Sequence, residues 1–138
     1  MKRIMVFGTF DMMHPGHLHY FVEAKKLGDE LIVVVARDSN VQREKGSLPV
    51  VSENDRLTMV SHIDVVDKAT LGGEEDKLAV VVEYKPDIIC LGYDQRVDEE
   101  NLALSLKERG VDASIVRVSS YNGNKYKSGI LKDKGMKD

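Results

Sequence analysis

The sequence predicts an α/β fold: a three-layer sandwich built on a five-stranded parallel sheet of order 3-2-1-4-5. Two observations carry that reading. Strand-like and helix-like segments alternate along the chain, the pattern of right-handed βαβ units. The strand-like segments ELIVVVAR (30–37) and DIICLG (87–92) are nearly unbroken apolar runs, as expected for strands covered on both faces. The length, 138 residues, suits one domain. The chain is therefore read as a single domain over 1–138, with its core in about 1–120 and a C-terminal segment over 121–138.

Each element has its own signal. RIMVFG (3–8) is the first strand. HPGHLHYFVEAKKLGDE (14–30) carries the first helix. Pro15 suits its first position, where a missing N–H is harmless; Leu18, Phe21, Val22 and Leu27 share the expected buried side; Gly28 is the expected stop. ELIVVVAR is the second strand, and RDSNVQREKGSLPV (37–50) is the longest polar connection, of a kind that is often functional. SENDRLTMVSHI (52–63) opens a helix with Ser52 as N-cap. DVVDKATLG (64–72) is the third strand, and EEDKLAVVVEYK (74–85) a helix closed by Pro86. DIICLG is the fourth strand, DEENLALSLKERG (98–110) a helix ended by Gly110, and ASIVRVS (113–119) the fifth strand. From Ser128 the tail is lysine-rich, with room for a last helical turn or two.

Composition narrows the function classes. Hydrophobic residues make up 42% and charged residues 31%, an ordinary globular balance. A net charge of −3 argues against a nucleic-acid partner. The single cysteine, Cys90, forms no internal disulfide, which fits a reducing compartment. IMVF before Gly8 is too short for a signal sequence, and no apolar run approaches the roughly 20 residues of a membrane span. The expectation is a cytoplasmic protein without membrane attachment.

In the predicted order, strands 1 and 4 lie side by side at the topological switch point, where ligands bind outside the carboxyl ends of the strands. GTFDMMHPGH (8–17) follows strand 1 and GYDQ (92–95) follows strand 4. Gly8 permits a sharp turn and close approach of a ligand to the backbone. The helix start at HPGH offers N–H groups and a positive dipole end, which favour phosphate. His14 and His17 are three residues apart and face one direction, with Gly16 leaving room between them. The motif reads as a phosphate clamp of two imidazoles and backbone amides. Two other readings stand beside it: a metal pair, for which no third ligand is obvious because Cys90 sits in an apolar strand, and a purely structural pair. His19 and His62 lack such surroundings and read as structural.

GTFDMMHPGH resembles the HxGH signature of the nucleotidyltransferase superfamily, in its cytidylyltransferase-like branch with Gly-Thr-Phe-Asp. The similarity continues through ARDSNVQREKG, ENDRLTMV and LGYDQ, which implies a Rossmann-like fold to about residue 120. VVARDSN, KPDIICLGYDQ and the short length look most like archaeal FAD synthases. That family moves AMP from ATP to FMN, giving FAD and pyrophosphate. The resemblance thus implies ATP and FMN as small-molecule partners, a divalent cation such as Mg2+ with the ATP, and the homodimer common in the family. A phosphate monoester has its second pKa near 6, so the attacking FMN phosphate needs no general base. Catalysis can rest on positioning and charge stabilisation. Two alternatives remain: a glycerol-3-phosphate cytidylyltransferase or related sugar-phosphate nucleotidyltransferase, and a nucleotide-binding sensor without turnover.

The resemblance also assigns residues. His14, His17 and Lys45 are the implied catalytic set, with the histidines donating hydrogen bonds to the ATP phosphates. Thr9, Phe10, Pro15, Gly16, Gly92, Asp94, Tyr121 and Ser128 complete the nucleotide site. Asp94 accepts from the ribose or base, and Tyr121 stacks on adenine. Asp11, Lys45 and Arg56 are the acceptor-binding set, with Asp11 alternatively a metal ligand or a helix cap. Lys45 is otherwise a solvated lysine, and Arg56 a surface partner of Glu53 or Asp55. Tyr93 is assigned to packing. SLPVV (47–51) is a candidate wall for an isoalloxazine ring. KSGILK (127–132) matches the second family signature, in which Ser128 caps a helix and touches phosphate while Lys127 or Lys132 brings charge. It departs in having Gly129 for a hydroxyl residue and lysine for arginine, and it lacks the cysteine pair of archaeal FAD synthases.

Overall fold

The computed structural model describes residues 1–119. Its strands are β1 (Arg3–Gly8), β2 (Glu30–Val35), β3 (Lys68–Leu71), β4 (Ile88–Leu91) and β5 (Ser114–Arg117). They form one parallel sheet of order β3-β2-β1-β4-β5, as predicted. The helices are α1 (Pro15–Lys25), α2 (Asp38–Lys45), α3 (Glu53–Ser61), α4 (Ala79–Tyr84) and α5 (Glu99–Glu108). β1 pairs with β2 from Arg3↔Glu30 to Gly8↔Val35, and with β4 from Ile4↔Ile88 to Val6↔Cys90. The alternation of side chains along these strands divides the core in two. Ile4, Val6, Leu31, Val33 and Cys90 face Tyr20, Phe21 and Ala24 of α1 and Val60 of α3. Met5, Ile32, Val34, Ile89 and Leu91 face Val80 and Val81 of α4 and Leu106 of α5. Phe21 is fully buried; truncating such a ring to alanine costs about 3–5 kcal/mol.

Four expectations change. The buried face of α1 carries His17, Tyr20, Phe21 and Ala24, whereas Leu18 and Val22 are exposed. Apolar spacing misplaced that face because His17 and Tyr20 bury rings whose polar tips have partners; Tyr20 Oη donates to the Cys90 carbonyl. Gly28 is not the helix stop. α1 ends at Lys25, and Gly28 instead leaves space for Ile4 and the Lys2 carbonyl. RDSNVQREKG is no loop but α2, closed by Gly46 at φ 82°. It reads as polar because only Asn40 and Val41 of it are buried. Finally, β3 begins only at Lys68 and α4 only at Ala79, and α4 stops on Lys85 at φ 47°, just ahead of Pro86.

Candidate active site

Outside the carboxyl ends of β1 and β4 opens a cavity of about 950 Å³. Thr9, Phe10, His14, Gly16, His17, Lys45, Gly92 and Asp94 stand on its wall, so these predicted residues are brought together from three separate parts of the chain. A second cavity of about 360 Å³ lies beside it, towards β2 and β3, and the two share Phe7, Gly8, Thr9, Glu44, Gln95 and Val97.

The loop between β1 and α1 is tightly wound. Phe10 and Met12 sit at φ 57° and 49°, a region that costs a non-glycine residue about 1–3 kcal/mol and concentrates at functional sites. Phe10 turns back beneath Gly8; a Cβ on Gly8 would lie 2.6 Å from Phe10 Cζ. Gly8 therefore makes room for the Phe10 ring as well as bordering both cavities. That ring meets His17 edge-on, with centroids 5.6 Å apart, and packs on Phe21 at 4.9 Å.

His14 and His17 cap their own helix. His14 is the N-cap residue, and its Nδ1 accepts from the Gly16 amide at 3.0 Å. The His17 Nδ1 accepts in return from the His14 amide at 3.2 Å. This is a capping box in which imidazoles replace the usual Ser and Glu. The rings stack with centroids 3.8 Å apart. An Nδ1 that accepts carries no proton, so each imidazole holds its proton on Nε2. Burial, chiefly, and the neighbouring His14 push the His17 pKa down to about 3, with Asp94 opposing. Both imidazoles stand on the cavity wall with Nδ1 engaged, which leaves Nε2 as the nitrogen that carries the proton. One part of the clamp is corrected: the Gly16 amide is taken by His14 Nδ1 and the His17 amide by the His14 carbonyl, at 2.9 Å. The imidazoles, rather than the amides of the helix start, are what the motif presents.

Three assignments move away from the cavities. Asp11 is buried, and its two carboxylate oxygens accept from the Val50 and Val51 amides at 2.8 and 2.9 Å. It pins the segment after α2 and borders neither cavity, and the cap of α1 is His14 instead. Arg56 is 1% exposed. Its Nε donates to the Val51 carbonyl, its Nη1 to the Thr9 carbonyl and its Nη2 to Asp38 Oδ1, at 2.9, 2.7 and 2.6 Å. It is a buried bolt, with Asp38 as partner instead of Glu53 or Asp55, and it borders neither cavity. Pro15 is exposed at the start of α1 and lines neither cavity. SLPVV also fails as a flavin wall: Leu48 and Val50 point to solvent, 59% and 73% exposed, and border neither cavity. Tyr121, Ser128 and the KSGILK segment lie outside the described residues.

Some contributors were missed. Gln95 Nε2 donates to the Phe7 carbonyl and its Oε1 accepts from the Gly92 amide, both at 2.8 Å, so it stitches β1 to the turn after β4 where the cavities meet. Its place directly after GYD was the available signal. Arg117 holds the same turn, donating to the Gly92 and Gln95 carbonyls. His19 and Tyr93 border the larger cavity, and His19 Nε2 lies 3.0 Å from the Ser119 carbonyl.

Comparison with known proteins fits this geometry. Residues 5–134 match the model of the cytidylyltransferase-like family. A protein named FAD synthase from Thermoplasma acidophilum is 52% identical over 99% of this chain and 95% of its own length. A second FAD synthase, from Thermoplasma volcanium, is 49% identical with the same coverage. A crystal structure of a protein named lipopolysaccharide core biosynthesis protein, from Thermoplasma volcanium GSS1, superposes with a TM-score of 0.84 at 52% identity, over 88% of this chain and 99% of that one. The chain belongs to the cytidylyltransferase-like family of nucleotidyltransferases, alongside the archaeal proteins that carry the name FAD synthase.

Proposed function

We propose that this chain, acting as one nucleotidyltransferase domain, is an FMN adenylyltransferase that converts ATP and FMN to FAD and pyrophosphate. The observation that carries it is the pair of imidazoles of His14 and His17, each with Nδ1 engaged, on a cavity that borders a second, mainly apolar one. In the reaction an FMN phosphate oxygen attacks the α-phosphorus of ATP, the new P–O bond forms, and the bond from the α-phosphorus to the bridging oxygen of the pyrophosphate breaks. Negative charge grows on the α-phosphate oxygens and the departing pyrophosphate. Donors already fixed by a capping box meet that charge without reorganising. Because each Nδ1 is engaged, the rings meet the phosphates as Nε2–H donors and not as proton acceptors. Lys45 adds positive charge from the end of α2; Gly92 and Asp94, after β4, take the nucleoside part of ATP.

A divalent cation such as Mg2+, bound with the triphosphate, would offset its charge. Among the described residues no group of three metal-ligating side chains exists. Glu44 and Asp94 are carboxylates on the wall that suit the water shell of a phosphate-bound ion. Among the described residues no helix is long and apolar enough to cross a membrane.

A second reading, a sugar-phosphate acceptor, is favoured by the name that the structurally similar Thermoplasma volcanium protein carries. The apolar lining of the smaller cavity supports the flavin instead. The test is purified protein with Mg2+, ATP or CTP, and FMN, glycerol 3-phosphate or a sugar phosphate, with pyrophosphate and product both measured. FAD from ATP and FMN is expected. Pyrophosphate with a nucleoside-diphosphate sugar or glycerol and no FAD would overturn the flavin reading, and no pyrophosphate from any pair would leave a nucleotide sensor. His17→Ala should lower kcat by about 10²–10³ with smaller changes in KM.

A further inference from the structure

Among the described residues, one buried polar atom on the smaller cavity lacks a hydrogen-bond partner. Asn40, on the buried side of α2, is 5% exposed and borders that cavity. Its Nδ2 donates to the Gly73 carbonyl at 2.8 Å, which orients the amide. Gly73 is held in place by its own turn, where a Cβ would run into the Asp76 carbonyl. The other end of the amide, Asn40 Oδ1, has no hydrogen-bond partner among the described residues. A buried amide oxygen without a donor is costly and uncommon in folded proteins. Most of the wall around it is apolar, with Phe7, Val34, Leu78, Val81, Ile89 and Leu91, and the ion-paired Lys77 and Glu44 also border the cavity. The volume, about 360 Å³, falls at the lower end of ligand cavities, roughly 300–1,000 Å³.

A ligand for this space needs a flat apolar body, one buried N–H donor, and a tether leading back past Thr9 and Gln95 to the phosphate-handling cavity. Oxidised isoalloxazine has one ring N–H, at N3, on the edge opposite its dimethylbenzene ring. We infer that the smaller cavity is the flavin subsite and that Asn40 Oδ1 accepts the hydrogen bond from flavin N3–H, making Asn40 a specificity residue for the acceptor. This rests on the FMN adenylyltransferase reading and adds to it the position and polar recognition of the ring. It replaces the SLPVV wall. A sugar phosphate would bring several hydroxyls into the same space and find partners there for few of them.

The experiment compares FMN with 3-methyl-FMN, which lacks the N3–H, in wild-type protein and in Asn40→Ala. FAD or 3-methyl-FAD formation from ATP gives KM and kcat, and flavin fluorescence titration gives Kd. Wild-type protein is expected to bind 3-methyl-FMN about tenfold more weakly than FMN, the factor one buried hydrogen bond carries. Asn40→Ala is expected to raise the FMN KM by a similar factor, to leave the ATP KM unchanged, and to bind the two flavins within about twofold of each other. Equal use of the two flavins by the wild-type protein overturns the assignment while the FMN reading stands, and needs no variant to fold. Absence of any FAD from ATP and FMN overturns both.

Discussion

Replacing Arg56 with methionine separates a structural bolt from an acceptor-binding arginine. The methionine keeps most of the side-chain length and removes three hydrogen bonds. The carbonyls of Thr9 and Val51 lose their bonds of 2.7 and 2.9 Å, and Asp38 loses its ion pair of 2.6 Å. A buried acceptor left without a donor costs about 1–3 kcal/mol. The Asp38 side chain is 29% exposed and is resolvated by water, so its share is the smaller. Removing one partner of a buried pair costs about 3–5 kcal/mol in total, which matches the sum of the parts. At about 3–4 °C per kcal/mol for a chain of this size, Tm should fall by roughly 10–20 °C. Circular dichroism melts and urea titrations measure this, with FMN and ATP kinetics taken well below the variant's Tm. The FMN KM should stay within about threefold of wild type, since Arg56 borders neither cavity. Arg56→Lys should recover little, because one ammonium cannot span three acceptors set in different directions. A variant that melts within about 3 °C of wild type while the FMN KM rises tenfold would refute the bolt and return Arg56 to the acceptor site.

Other outcomes are as definite. Gly8→Ala places a Cβ 2.6 Å from Phe10 Cζ and should displace the Phe10 ring and, through their edge contact, His17; turnover should fall at least tenfold, and an unaffected kcat would show that the loop absorbs a methyl group. His17 ties stability to acid: the unfolded imidazole takes a proton near pH 6.5, the folded one only near pH 3. Between those values the unfolded chain holds more protons, so stability falls as pH drops, by up to about 1.4 kcal/mol per pH unit. Urea unfolding at pH 6.5, 5.5 and 4.5 should show that slope reduced in His17→Gln, and identical slopes would count against a buried neutral imidazole. Cys90 is 0% exposed, with burial pushing its pKa up to about 11. An aromatic disulfide reagent at pH 8 should label it only on unfolding, and rapid labelling of the native protein would contradict the buried strand.

The fold could be read from the sequence because its signals are local and repeated. ELIVVV and IICL are apolar throughout, as central parallel strands must be, and Ser52 and Asp98 cap the helices that follow them. GTFDMMHPGH was legible for a related reason. The chemistry of His14 and His17 is set by each other and by the Gly16 amide within one helical turn. What the sequence did not disclose is how polar residues distant in the chain are spent. Asp11 and Arg56 sit in a family-like motif and carry the right charge for a ligand, yet their partners lie 39 to 47 residues away along the chain for Val50, Val51 and Thr9. Gln95 reaches across 88 residues to Phe7. Charge type alone cannot distinguish a side chain consumed by backbone carbonyls from one aimed at a phosphate; only the pairing can.

The two halves of the site were unequally visible for a physical reason. Phosphate recognition is served by charge, dipoles and glycines, all of which leave marks in a short motif. An apolar acceptor slot is assembled from ordinary core residues of β1, β2, β4 and α4, whose sequence signature is that of any buried strand or helix. The one distinctive group, the Asn40 amide, sits in a helix so polar that it reads as a loop. Asn40 stands out only after Nδ2 has been paired with Gly73 and Oδ1 is left over. The bolts that carry no substrate are what hold the slot in place. Arg56 joins the Thr9 carbonyl, between the two cavities, to Asp38 at the start of α2, two residues before Asn40. Asp38 and Glu53 exchange amide hydrogen bonds of 2.8 and 3.2 Å that lock α2 against α3. Arg56 and Asp11, first read as ligands of the acceptor, thus serve the stability of the scaffold around the slot and not the ligand in it.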